Sequence, residues 1–209
     1  MDYHNTILSQ ILKIVPRLEF EHLGNQHDGR RRSGALSRWS QFVSLSIAQL
    51  AGRTSLRDIE ATLQSKSHHR YHLGSQSVSR SALARANEQL DYRFYLALFQ
   101  TLYQRCTRHA PRHNFRFKRK LFSLDGTLIS LSLKVFPWAD YNCKKAAFKV
   151  HIGLDHDSLI PAFAAITLGR ESETSQACLW DYPKGSVLVF DKGYNSYEWH
   201  NTLTDKGLI

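Results

Sequence analysis

The sequence predicts a mixed α/β protein in two parts, a helical first half and an α/β second half. Two changes near residue 120 carry this reading. Apolar residues recur at helical spacing up to about residue 108, and short runs rich in Leu, Ile and Val replace them after about residue 120. The charge divides at the same place. Residues 1–120 hold 20 Lys/Arg against 8 Asp/Glu, a balance of +12, while residues 121–209 hold 8 against 10, a balance of −2. The 209 residues are 42% hydrophobic and 22% charged, enough apolar material for one large packed core or two small ones.

The first half reads as helices. Ile7, Leu8, Ile11, Leu12 and Val15 form one face of a short helix that Pro16 ends. Gly24, Gly29, Gly34 and the triplet Arg30, Arg31, Arg32 read as a basic loop. Trp39, Phe42, Val43, Ile47 and Leu50 mark a helix stopped at Gly52. Ser55 followed by Asp58 caps a third, carrying Leu56, Ile59 and Leu63. Past a turn with His68, His69, His72 and Gly74, Val78, Ala82, Leu83, Ala86 and Leu90 define a fourth. A fifth, carrying Phe94, Leu98, Leu102 and Cys106, either separate from the fourth or continuous with it, runs to Pro111. The domain boundaries expected are 1–108, a basic linker 109–120 with Arg116, Lys118, Arg119 and Lys120, and 121–209.

The second half reads as strands at Leu121–Asp125, Thr127–Phe136, Phe148–Leu154 and Ile160–Leu168, a short helix at Ser175–Tyr182, a strand at Val187–Asp191 and a helix at Ser196–Lys206. Asp125 and Asp191 are expected at the C-terminal ends of buried strands, each closely followed by glycine (Gly126, Gly193). If those strands are neighbours the carboxylates converge, and they repel unless a cation lies between them. An oxygen-only ligand set favours Mg²⁺ or Mn²⁺, ions suited to phosphodiester chemistry. The plain alternative is an Asp-Gly turn after each strand.

Other patterns restrict the partners. An excess of +12 points to a polyanion, with Arg80, Arg85 and Asn87 on the second helix of a loose helix-turn-helix match, its loop longer than usual. Lys149 is a further candidate for a DNA-facing position, whereas His151 reads as structural. The three turn histidines lack a Cys or acid to complete a metal site. The basic residues are interleaved with Asn, Gln and Ser, which disfavours a membrane surface. Cys106, Cys143 and Cys178 form no CxxC pair, no apolar run approaches the roughly 18 residues that span a bilayer, and the N-terminus is not signal-like, so a cytoplasmic protein is expected.

Ordered motifs across the chain resemble DDE transposases of bacterial insertion sequences, specifically the insertion-sequence-four group. In the second half these are Leu124-Asp125-Gly126-Thr127, Phe136-Pro137-Trp138-Ala139, Lys149-Val150-His151-Ile152-Gly153-Leu154-Asp155, Ile166-Thr167-Leu168-Gly169 and Val189-Phe190-Asp191-Lys192-Gly193-Tyr194. In the first half they include Gln49-Leu50-Ala51-Gly52-Arg53, Ser55-Leu56-Arg57-Asp58 and Tyr71-His72-Leu73-Gly74.

The resemblance implies a helical N-terminal DNA-binding domain followed by a ribonuclease-H-like core. Asp125 and Asp191 would be its first and second catalytic acids and ligands of Mg²⁺ or Mn²⁺, with Tyr194 packing or positioning substrate nearby. The implied activity is DNA cleavage and strand transfer in transposition, on double-stranded DNA, by a homo-oligomer associated with the bacterial nucleoid. Where the family has a His-Asp pair, this chain has Ser172-Glu173. The family's third acid, in a Tyr-x2-Arg-x3-Glu-x6-Lys signature, is expected beyond Ile209. On this reading the core is incomplete and the chain alone inactive, or else a DNA-binding fragment that occupies transposon ends.

Overall fold

The computed structural model describes residues 6–28, 34–109, 118–131, 140–142 and 145–208. The chain divides into two compact units, Met1–Leu102 and Tyr103–Ile209. The first is helical and the second is a mixed sheet with helices, and no described helix is long and apolar enough to cross a membrane.

The first unit holds α1 (Ile7–Lys13), α2 (Arg17–Asp28), α3 (Arg38–Leu50), α4 (Leu56–Ser65), α5 (Ser67–Arg70), α6 (Arg80–Gln89) and most of α7 (Arg93–His109). Ser37, Ser55 and Ser79 each accept a backbone N–H at the start of α3, α4 and α6, satisfying a donor that the helix itself leaves free. The expected loop after Pro16 is instead helical through Asp28, including Gly24. Pro16 starts α2 rather than only ending α1, and burial of Phe20 with an Arg17–Glu21 pair at 2.8 Å outweighs the cost of a mid-helix glycine. The Arg30–Arg32 triplet lies outside the described residues. The fourth and fifth helices are separate, because Leu90 takes an extended backbone between them.

Helix α3 is shared by two apolar clusters. Trp39 and Val43 pack with Leu12, Val15, Phe20, Phe94 and Leu98. Ala48 packs with Ile59, Leu63, Val78, Leu83 and Ala86. The Trp39 indole donates to Leu73 O at 2.7 Å, while the Arg17 guanidinium covers its ring 4.0 Å from the centroid. This explains the glycine of Tyr71-His72-Leu73-Gly74: φ at Gly74 is +63°, and a Cβ there would meet Arg17 Nη1 at 3.5 Å.

A polar knot ties four segments together. The Arg38 guanidinium donates to both carboxylate oxygens of Asp28, to Gln41 Oε1 at 3.2 Å and to Asp91 O at 3.0 Å, and it covers the Phe94 ring. Gln41 in turn accepts from the Tyr95 hydroxyl at 3.1 Å and donates to Asn87 Oδ1 at 2.8 Å.

In the second unit, β1 (Leu121–Leu131), β2 (Asp140–Asn142), β3 (Lys145–Asp155) and β4 (Ile160–Leu168) are followed by α8 (Glu173–Ala177), β5 (Val187–Val189) and α9 (Tyr197–Asp205). Strand β3 pairs antiparallel with β1, β2 and β4, while β5 joins the other edge of β1 in parallel. A parallel neighbour requires a crossover, which the segment containing α8 supplies. Phe122, Leu124, Ala177, Tyr182, Leu188, Tyr194, Trp199 and Leu203 form the core.

One expectation is corrected here. The two runs on either side of Asp125 are a single strand, and Asp125 stands inside it. The ladder to β3 continues unbroken from Phe122↔Asp155 through Asp125↔Ile152 and Gly126↔His151 to Leu131↔Ala146. Gly126 is not among the glycines with positive φ, so the Asp-Gly pair makes no turn. Residues 132–136 of the expected strand lie outside the described residues, as does the Phe136–Ala139 motif.

Arg38 and Asp28 keep only 5% and 4% of their side-chain surface exposed. Removing one partner strands a buried charge, so Asp28→Ala is expected to cost about 3–5 kcal/mol in denaturant unfolding of the first unit. A loss below about 1 kcal/mol would show that water reaches Arg38 and the knot is not a buried ion pair.

Candidate active site

The two acids follow one short ladder of the sheet. Strands β1 and β5 pair as Leu121↔Val187, Phe122↔Leu188 and Ser123↔Val189, so Asp125 and Asp191 each follow the last pair of this ladder by two residues. Burial along β1 ends at Leu124: Leu121, Phe122 and Leu124 are buried, while Asp125 is exposed. Asp191 lies just past β5, and its Oδ1 accepts the Gly193 N–H at 2.8 Å, capping the 3₁₀ turn Lys192–Tyr194. Successive strand residues face opposite ways, so Gly126 shares the α8 side with Phe122 and Leu124, and Asp125 stands on the exposed side.

A third carboxylate occupies the α8 side. A Cβ on Gly126 would lie 2.9 Å from Glu173 Cδ and Oε1. A Cβ on Gly193 would lie 3.0 Å from Glu173 Oε2 and 3.0 Å from Asp191 Oδ1. A side chain at either glycine would therefore press on the mobile ends of these acidic side chains, and the Glu173 Oε2 and Asp191 Oδ1 oxygens are separated by no more than twice the 3.0 Å distance. Glu173 Oε1 is paired with Lys149 Nζ at 3.3 Å, and Lys149 also donates to Glu171 O at 3.0 Å. Sequence reasoning noted Glu173 only as a departure from the family pattern. The glycine after each Asp was the signal that a side chain lodges between them.

Tyr194 closes the site from below. It is 1% exposed, and its hydroxyl is buried without a hydrogen-bond partner among the described residues. Burial, then the negative charges of Glu173, Asp125 and Asp191, push the phenol well above its usual range and keep it protonated. Among the described residues no three His, Cys, Asp or Glu groups already stand close enough together to hold a metal ion. The cradle over Gly126 and Gly193 and the unpaired Tyr194 hydroxyl nevertheless fit a hydrated divalent cation beside the carboxylates, since Mg²⁺ needs only one or two of them and retains waters.

The basic candidates are distributed widely. Arg80, Arg85 and Asn87 are exposed on α6, though Arg85 Nε donates back to Ser81 O at 3.3 Å and Asn87 Oδ1 is held by Gln41. The Arg80 N–H is clamped by Glu60 Oε1 at 3.0 Å, which seats α6 on α4. Lys118 and Arg119 are exposed; Lys120 pairs with the buried Asp155 at 3.2 Å. Lys149 keeps 16% of its side-chain surface and its ammonium lies on Glu173. Arg116, with Arg30, Arg31 and Arg32, lies outside the described residues. His151 is fully buried and shares a 2.8 Å hydrogen bond between Nε2 and Thr167 Oγ1. Because the Thr167 hydroxyl donates onward to Leu168 O at 3.2 Å, Nε2 is the donor and buried Nδ1 is unpaired.

Residues 116–209 match the family model described as a transposase DDE domain, and residues 3–76 match one described as a domain of unknown function (DUF4372). A protein named "Probable transposase for insertion sequence element IS5377", from Geobacillus stearothermophilus, is 25% identical over 125 residues, which are 56% of this chain and 31% of that protein. The chain thus resembles insertion-sequence transposases and aligns with less than a third of the length of that relative.

Burial first, and then the Lys149 charge, hold the His151 imidazole below its ordinary range, against the opposing pull of Glu173 and Glu171. The unfolded chain takes up this proton near pH 6.5 and the folded chain does not, so the stability from this group is complete above that pH and is lost as pH falls toward the lower folded value. The midpoint of thermal unfolding should drop between pH 7 and 5, and His151→Gln should remove part of the drop. Identical pH dependence in both proteins would show that His151 titrates normally when folded.

Proposed function

We propose that this chain, whose residues 116–209 carry a transposase DDE domain, acts in transposition of an insertion sequence through metal-dependent DNA cleavage and strand transfer. The observation that carries the proposal is the parallel β1–β5 ladder, whose last pair, Ser123↔Val189, lies two residues before Asp125 on one strand and two before Asp191 on the other, which supports reading them as a pair. The three antiparallel strands, the crossover with α8 and the parallel β5 support the ribonuclease-H-like reading of the core. Mg²⁺ or Mn²⁺ held by the two carboxylates would stabilise the charge that develops on the leaving oxygen of a phosphodiester. Asp125, exposed on its strand, is open to a bulky polymeric substrate, while Asp191 is fixed by the Gly193 N–H. The +12 of residues 1–120 suits them to gripping the phosphates of double-stranded DNA, with Arg80, Arg85, Lys118 and Arg119 as exposed contacts and Arg30, Arg31, Arg32 and Arg116 as further ones. That same charge favours one other reading, binding at transposon ends without catalysis.

Two measurements on the full chain test this. Affinity for a duplex bearing the cognate terminal repeats should fall with salt at a log–log slope of about −0.9 per phosphate neutralised. A flat salt dependence would sink the electrostatic account. Any specific nicking of that duplex in Mg²⁺ or Mn²⁺, which the expectation of an inactive chain excludes, should decrease by about 10²-fold or more in Asp125→Asn and in Asp191→Asn, with DNA binding retained. Salt-sensitive, specific binding without nicking would select the non-catalytic reading.

A further inference from the structure

We infer that Glu173 is a further acid of this site, sharing a divalent cation with Asp191, and that Lys149 takes the cation's place on Glu173 when none is bound. The inference rests on the reading of Asp191 as a metal-binding acid and adds a residue outside the Asp125–Asp191 pair. Four observations carry it. The Glu173 carboxylate spans two glycines, its Oε1 2.9 Å from the Cβ position of Gly126 and its Oε2 3.0 Å from that of Gly193. Asp191 Oδ1 approaches that Gly193 position equally closely, so the two acids flank one small space. The buried Tyr194 hydroxyl, next in the chain to Gly193, has no partner and lies within electrostatic reach of both. Lys149 and Glu173 are each only partly exposed, at 16% and 20%, so the ammonium is a poorly solvated counter-ion in direct contact with Oε1.

Two carboxylates this close are stable when a cation lies between or beside them. A lysine ammonium supplies one charge at one oxygen, whereas a divalent ion supplies two and can accept an oxygen from each acid. Lys149 already has a second acceptor, the Glu171 carbonyl, on which it remains anchored after releasing Glu173. Exchange of ammonium for metal therefore needs only a side-chain shift. It strands neither partner.

The test is Mn²⁺ titration of the full chain, following the free-ion electron paramagnetic resonance signal in the absence of DNA. Asp191→Asn should abolish binding, Glu173→Gln should weaken it at least tenfold, and Lys149→Met should tighten it by removing the competitor. Unchanged affinity in either Glu173→Gln or Lys149→Met, with Asp191→Asn still defective, overturns the inference and leaves the reading of Asp191 standing. Wild-type chain that takes up no Mn²⁺, or an Asp191→Asn variant that binds like wild type, overturns both. Glu173→Gln keeps the shape of the side chain, and Lys149→Met moves the affinity in the opposite direction, so a general loss of folding cannot imitate the expected pair of results.

Discussion

Three residue pairs of parallel ladder, between the first strand of the second unit and its last, join the strand that carries Asp125 to the strand that leads into Asp191. Without them Asp125 and Asp191 are 66 residues apart in sequence and unrelated in space. The ladder is anchored from both sides. Val187 N–H donates to Lys120 O at 2.7 Å, just before β1, and Phe122 and Leu188 enter the same core as Tyr194 and Trp199. Parallel pairing of sequence-distant strands is costly in chain entropy, and apolar burial on the α8 side offsets that cost. The acids are thus held by packing rather than by one another's chemistry.

Electrostatics sets the remainder of the site. Concentrating Asp125, Asp191 and Glu173 near one buried phenol raises the free energy of the fold unless positive charge accompanies them. Lys149, placed on β3 opposite Leu128, supplies it. Lys120 does the same for the buried Asp155 at the far end of β3. Part of the lysine complement of this unit therefore balances carboxylates within the fold, and its count of positive residues overstates what is presented to a polyanion.

In the first unit the constraint is different. Helix α3 belongs to two apolar clusters, so its axial position is fixed by Trp39 and Val43 toward one and Ala48 toward the other. Its first two turns bury Arg38, Ser40, Gln41 and Ser44; the first three hydrogen-bond α2, the segment before α6, α6 itself and the α6–α7 junction, while Ser44 donates to Ser40 O within α3. Directional bonds of this kind specify one packing among the several that apolar contact alone would permit. The outer surface of α6 is then left with exposed Arg80 and Arg85 on a helix whose inner face, Leu83 and Ala86, is committed to the core.

Most of this architecture was legible in the residues. Periodicity located α3, α4, α6, α7 and α9, caps placed several of their ends, and alternation found β3 and β4, because each of these signals is local to the element it describes. The change in charge and texture near residue 120 separated a helical half from a sheet half, since composition responds to what each half must bury and what it presents. Ordered motifs singled out Asp125 and Asp191. Tertiary structure alone decided the rest. Gly24 sits in a helix because Phe20 is buried on that helix, and Asp125-Gly126 runs straight through a strand because β3 offers a ladder partner at every residue. Glu173 and Lys149 meet because α8 packs on β1, where Leu128 is the ladder partner of Lys149, and the two glycines leave the space that the Glu173 carboxylate fills. Local preference determines which element a segment forms. Which side chains then share a space, and which charge must answer which, depends on contacts between segments far apart in the chain, and no window of sequence contains them.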